Sequence, residues 1–148
     1  MAQNIHRTNI IGRLMKASFK RELKALEGVL EFLDTFMTRQ GIGPSIRPTL
    51  FLAVDEMFTN MVRHQPHASR DITISAEQTE GAVVIRLIDP GADAFDFTKT
   101  KEPDFSIPIQ KRSPGGLGIY LTQKLMDEVR YEHRDDEAVV TLVKKLED

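Results

Sequence analysis

Leu50 to His64 reads LFLAVDEMFTNMVRH, the stretch that most constrains the fold of this chain. Its apolar residues recur at steps of three and four, which predicts an amphipathic helix over residues 46–64. Glu56 and Asn60 are four apart and therefore share one face of that helix. Two exposed polar residues on a packing helix are the simpler explanation. A carboxylate and an amide so placed can also hold magnesium and orient a nucleophile.

Periodicity along the rest of the chain predicts the other elements. They are a first strand within 8–19, a helix over 20–39, strands at 71–77 and 82–88, a helix opening at 115–118, and strands at 129–134 and 138–146. Tight turns between consecutive strands favour a mainly antiparallel, five-stranded sheet. With the helices on one face, the fold class is α+β, a two-layer sandwich.

The composition limits the functions open to the chain. Its 148 residues predict a single domain over 1–148, and a net charge of -2 gives no footprint for nucleic acid. The absence of cysteine excludes disulfides and thiolate chemistry. No apolar run approaches the ~20 residues of a membrane helix, so we expect a cytoplasmic protein without a membrane span. The densest basic group is interpreted as a solvated helix face and comprises Lys16, Lys20, Arg21 and Lys24.

A second candidate site follows a predicted strand at Asp89-Pro90-Gly91. An Asp before Pro-Gly is often only turn chemistry. Alternatively, the strand end presents a carboxylate to a ligand. A carboxylate only accepts hydrogen bonds, which suits an exocyclic amine such as that of adenine, and Gly91 would let a flat base approach the backbone.

A third candidate site is glycine-rich, at Gly115, Gly116 and Gly118, where a helix is predicted to begin. Three glycines in four residues can be a flexible hinge. At a helix start, however, free N–H groups and the helix dipole attract anions, which favours a phosphate site. The proline-bearing segment before it, about 92–116, is either a disordered connector or a lid that links the second site to the third.

In this order and spacing the three motifs resemble the histidine-kinase-like (Bergerat-fold) ATPases, most closely their anti-sigma factor serine kinase group. The matching residues are Glu56 and Asn60, then Asp89, Gly91, Phe95 and Asp96, then residues 114–119 continuing into 125–131. The resemblance covers about residues 20–146. It implies the histidine-kinase-like ATPase fold, with ATP and Mg²⁺ as cofactors.

The resemblance also implies a role for each matching residue. Glu56 would be the general base and Asn60 the magnesium ligand. Asp89 and Gly91 would bind adenine. The remaining nucleotide-binding residues would be Phe95, Gly115, Gly116, Leu117 and Gly118.

The implied function is an anti-sigma factor with ATP-dependent serine kinase activity. Its substrate would be a serine of a STAS anti-anti-sigma protein, its other partner a sigma factor, and its assembly a homodimer. The alternative is a non-catalytic switch in which ATP only controls partner binding. Glu56 favours the enzyme, because a pure switch would not need a carboxylate there. A domain severed from a larger ATPase fits the self-contained set of elements poorly.

Overall fold

A computed structural model of the chain describes residues 9–64, 70–91, 106 and 116–146. The helices are α1 (Leu26–Arg39), α2 (Arg47–His64) and α3 (Gly116–Leu125), and a short 3-10 turn (Leu23–Ala25) precedes α1. The strands are β1 (Asn9–Ile11), β2 (Leu14–Phe19), β3 (Ile72–Thr79), β4 (Ala82–Pro90), β5 (Glu128–Arg134) and β6 (Glu137–Lys145). None of the helices in these ranges has both the length and the apolar character needed to cross a bilayer.

The strands form one sheet in the order β1-β2-β3-β4-β6-β5, and each neighbouring pair is antiparallel. The predicted five-stranded antiparallel sheet is confirmed as β2 to β6. The prediction of one strand within 8–19 was wrong, because the segment forms a hairpin with Ile11 opposite Leu14. Gly12 has a φ of 59°, a left-handed conformation that glycine adopts without strain and that turns the chain between β1 and β2.

The core lies between the helices and one face of the sheet. Strand β4 shows how the sheet faces it, since Val83, Ile85 and Leu87 are fully buried at alternate positions. Asp89 is the next position in that row and is only 5% exposed. The period of two therefore carries a carboxylate to the core side at the end of β4.

Helix α1 ends where the sequence predicts, at a glycine. Gly41 has a φ of 67°, and its N–H donates to the Thr38 carbonyl at 3.2 Å. The N–H of Ile42 donates to the Met37 carbonyl at 2.9 Å, and both of these apolar residues are buried. These two bonds form a Schellman motif, which ends the helix and directs the chain toward α2. The helix itself starts later than predicted, after the 3-10 turn.

Candidate functional site

Glu56 and Asn60 lie on α2, as predicted, at the margin of its buried face. Both are half-buried, whereas Met57, Phe58 and Thr59 between them are buried. Thr59 donates its hydroxyl to the Asp55 carbonyl at 2.8 Å, so this polar side chain is satisfied within the helix. The carboxylate and the amide are thus presented one turn apart at the edge of the core.

The surroundings of Glu56 favour its neutral form. Burial raises the pKa of its carboxyl above the ordinary value of 4.5, the neighbouring Asp55 carboxylate raises it further, and Arg63 partly opposes both. A carboxylate with a raised pKa is a better proton acceptor near neutral pH. This is the property that a general base needs.

Gly118 brings the third motif to Glu56. A Cβ at Gly118 would overlap the Glu56 carboxylate, so the carboxylate fills the space that a side chain would take. Gly116, Leu117 and Gly118 form the first turn of α3, where backbone N–H groups point away from the helix and attract anions. The structure therefore places the predicted base beside the predicted phosphate-binding turn.

Thr122 supports this turn and was missed by the sequence analysis. It is 1% exposed, and its hydroxyl donates to the Gly118 carbonyl at 2.9 Å. A threonine inside an apolar stripe gives no local sign of such a role. The one available signal is its spacing of four from Gly118, which places the two residues on one helix face.

Asp89 is paired with Arg21, a residue that the sequence analysis assigned to a solvated helix face. Its Oδ1 pairs with Nη2 of Arg21, and the two side chains are 6% and 2% exposed, respectively. The interpretation of Arg21 as part of a solvated helix face was therefore wrong. The burial of the Asp89 side chain makes an opposite charge favourable, and Arg21 lies before α1, in the bend that follows β2.

Arg21 also connects Asp89 to α2. Its Nη1 donates to the Met61 carbonyl at 3.5 Å, its Nε donates to the Arg70 carbonyl at 3.3 Å, and Nη2 also reaches the Pro90 carbonyl at 3.5 Å. A cation is favoured near the C-terminal turn of a helix. The Asp89 end of β4 and the Glu56–Gly118 contact thus lie along the same helix, α2.

Gly91 follows β4 with a φ of 75° and is exposed. Its N–H donates to the Asp136 carbonyl at 2.6 Å, which ties the end of β4 to the β5–β6 turn. A Cβ at Gly91 would meet nothing within 4 Å, so the backbone conformation is what requires glycine in this structure. The approach of a base to Gly91 stays a prediction.

Phe95 and Gly115 lie outside the described residues, as does the predicted lid over 92–116 apart from Ser106 and Gly116. The described residues hold no group of three His, Asp or Glu side chains that could bind a metal. The half-buried Asn60 amide suits magnesium in another way, since this ion keeps several waters and takes further oxygens from phosphates. Magnesium at Asn60 therefore fits the residues present and remains a proposal.

Comparison with known proteins gives a family. Residues 19–144 match the histidine kinase-like ATPase domain. The serine-protein kinase RsbW of Bacillus subtilis (strain 168) is 35% identical over 91 residues, which are 57% of this chain and 56% of that protein. RsbW of Oceanobacillus iheyensis is 30% identical over 108 residues, 69% of this chain and 68% of that protein. The chain thus spans just over half the length of the first of these relatives.

Solved structures agree on the fold. The RsbU and RsbW domains of Rv1364c from Mycobacterium tuberculosis match with a TM-score of 0.65 and 20% identity, over 90% of this chain and 32% of that one. The SiaB–SiaC complex from Pseudomonas aeruginosa matches with a TM-score of 0.56 and 14% identity, over 97% and 95%. At these identities the likeness shows the fold alone. The resemblance predicted from the three motifs is confirmed, and the chain belongs to the histidine kinase-like ATPase family, in the group that includes the serine-protein kinase RsbW.

Proposed function

We propose that this protein is an ATP-dependent serine protein kinase that phosphorylates a STAS-type anti-anti-sigma partner and sequesters a sigma factor. Membership in an ATPase family supports ATP as the nucleotide, and the name of the RsbW relatives supports serine as the acceptor. The observation that carries the proposal is the Glu56 carboxylate, with its raised pKa, against Gly118 in the first turn of α3. A proton acceptor thus stands beside an anion-binding turn.

In the proposed reaction, Asp89 and Gly91 bind the adenine and the first turn of α3 binds the phosphates. Glu56 takes the proton of the acceptor serine as its oxygen attacks the γ-phosphorus and ADP leaves. Magnesium, held by Asn60, would neutralise charge on the phosphates. The proposal also includes a single domain, a lid over 92–116 and a cytoplasmic location, all three expected from the sequence itself. It further includes a homodimer, which the resemblance implies.

Glu56→Gln tests the role of Glu56 as the base. Glutamine keeps the shape of the side chain but cannot take a proton, so nucleotide affinity should persist while phosphoryl transfer falls roughly 10²–10⁴-fold. Single-turnover transfer from labelled ATP to the STAS partner, with calorimetry for affinity, measures both. Unchanged transfer would remove Glu56 from the mechanism, because phosphoryl transfer can also proceed by positioning and electrostatics alone.

Asp89→Asn tests the nucleotide site separately. The change turns part of an acceptor edge into a donor facing the adenine amine, which should weaken ATP binding by about 1–3 kcal/mol. A wild type that binds no ATP at millimolar concentration with magnesium would refute the site. A wild type that binds its partner in an ATP-dependent way but transfers no phosphate would support the non-catalytic switch instead.

A further inference from the structure

The buried pair formed by Arg21 and Asp89 carries a further inference, which rests on the proposed nucleotide site. Arg21 donates to Asp89 Oδ1 and to three backbone carbonyls, and its side chain is 2% exposed. No hydrogen bond to Asp89 Oδ2 occurs among the described residues. Within the part of the chain that the structure describes, one carboxylate oxygen is thus held by Arg21, while the other is available as an acceptor.

Arg21 contacts Asp89, the residue predicted to bind adenine, and two roles for Arg21 are compatible with this contact. Arg21 could fill the place of the adenine amine and have to leave when nucleotide binds, or it could belong to the wall of the site and fix Asp89. The carbonyls that it contacts belong to Met61 in the last turn of α2, Arg70 before β3 and Pro90 at the end of β4. A guanidinium held at three separate points of the backbone is part of the wall, and displacing it would leave the part-buried carbonyls of Met61 and Pro90 without this donor.

The chemistry of the guanidinium suits this second role. It is planar, always protonated at physiological pH, and offers five N–H donors in a fixed geometry. The donor on Oδ1 fixes the rotation of the carboxylate and leaves Oδ2 with a defined direction. A carboxylate that is free to rotate would have to be ordered when the base binds, which lowers affinity and selectivity.

We propose that Arg21 is a positioning residue for base recognition: it holds Asp89 through Oδ1 so that Oδ2 accepts the exocyclic amine of adenine. Arg21 would then determine how well the protein distinguishes purines that carry this amine from purines that lack it. Its effect should therefore appear in the ratio of the affinity for a purine that carries the amine to the affinity for a purine that lacks it.

The experiment compares ATP with purine riboside triphosphate, which lacks the exocyclic amine, by calorimetry on the full chain. Wild type should prefer ATP by roughly 10-fold or more, as expected for a hydrogen bond to a charged group. Arg21→Met should bring the preference to about threefold or less, mainly by weakening ATP. Arg21→Lys, which keeps the charge without the planar fork, should fall between them.

Arg86→Met is the matched control. Arg86 lies on β4, the strand that carries Asp89, but its side chain is on the opposite face of the sheet. That side chain is 41% exposed, and its Nη1 lies 3.9 Å from Oε1 of Glu77. Removing it should leave the preference for ATP unchanged. Thermal unfolding of each variant identifies those that fold.

The outcomes separate the two proposals. Wild type that binds neither nucleotide would refute the site itself and this inference with it. A strong preference in wild type that persists in Arg21→Met, or an equal loss of both affinities, would refute the positioning role alone. Tighter ATP binding by Arg21→Met would show instead that Arg21 blocks the site. If the variants do not fold, NMR of the wild-type Arg21 guanidinium decides: its N–H protons should stay protected when ATP binds, and their release would refute the proposal.

Discussion

Glu56 is a carboxylate whose surroundings disfavour its charge, and this should make the stability of the protein depend on pH. Its pKa is raised above 4.5 in the folded state by burial and by Asp55. The folded protein therefore holds this proton at pH values where the unfolded chain has released it. Between the ordinary and the raised pKa, the free energy of unfolding falls as pH rises, and above the raised pKa the ionised Glu56 costs stability.

Glu56→Gln should accordingly stabilise the protein at neutral pH. The gain should shrink as pH falls and vanish below about pH 4, where glutamic acid is protonated in both states. Urea unfolding across this range measures it. Glu77→Gln is the control, since the exposed Glu77–Arg86 pair should contribute no more than about 1 kcal/mol. A Glu56→Gln variant that is destabilised equally at every pH would contradict the prediction.

The residues of the candidate site differ in how well their positions could be predicted from the sequence. Glu56 and Asn60 were predicted from a spacing within one helix, which helix geometry converts directly into a shared face. Arg21 was misinterpreted because its partner Asp89 is 68 residues away, and local charge patterns say nothing about such a pair. Phe95 and Gly115 remain predictions.

Helix α3 can pack against α2 as it does only because residue 118 has no side chain. Alanine is the better helix former by about 1 kcal/mol, yet Gly118→Ala should lower the free energy of unfolding by roughly 1–3 kcal/mol, because its Cβ would overlap the Glu56 carboxylate. Gly43→Ala is the matched control, since a Cβ there meets nothing within 4 Å. Urea unfolding compares the two.

A double variant isolates the steric cause. Glu56→Ala combined with Gly118→Ala should be more stable than the two separate effects predict, because the shortened side chain leaves room for the new Cβ. Strictly additive effects, or a stabilising Gly118→Ala, would show that the two residues do not compete for this space.

Elements joined by local turn chemistry were predicted best. The β5–β6 hairpin turns at Asp135 and Asp136, as predicted, with φ values of 53° and 62° that match a type I′ turn. The β1–β2 hairpin was missed although Gly12 stands in the sequence. Its strands are only three and six residues long, and their apolar residues do not alternate regularly. The apolar residues on both sides of Gly12 therefore suggested one continuous strand.

ATP should stabilise the folded protein against unfolding, and magnesium bound by Asn60 should strengthen ATP binding and so increase this stabilisation. At 100 times its dissociation constant, ATP with magnesium should add about 2.7 kcal/mol to the free energy of unfolding. Asn60→Ala should gain less at the same concentrations. A chelator should reduce the wild-type gain and leave that of the variant nearly unchanged, as followed by thermal unfolding. Equal sensitivity of both proteins to the chelator would place the magnesium elsewhere.

The two-layer α+β architecture follows from the sequence because the hydrophobic period alone defines which faces must be buried. The order of the strands does not follow in the same way. Strand β6 lies between β4 and β5 in the sheet, although the predicted lid, α3 and β5 separate β4 from β6 in the sequence. Pairing over such a distance depends on the packing of the whole core.

The contacts of Arg21 have a kinetic consequence. They join it to residues 40, 49 and 68 positions further along the chain, so they can form only after most of the sheet and α2 have come together. Interactions absent from the folding transition state affect the unfolding rate and leave the folding rate nearly unchanged. Arg21→Met should therefore unfold faster than wild type after a jump into denaturant, while its refolding rate should equal that of wild type. We therefore expect Arg21 to affect how long the native state lasts much more than how quickly it forms.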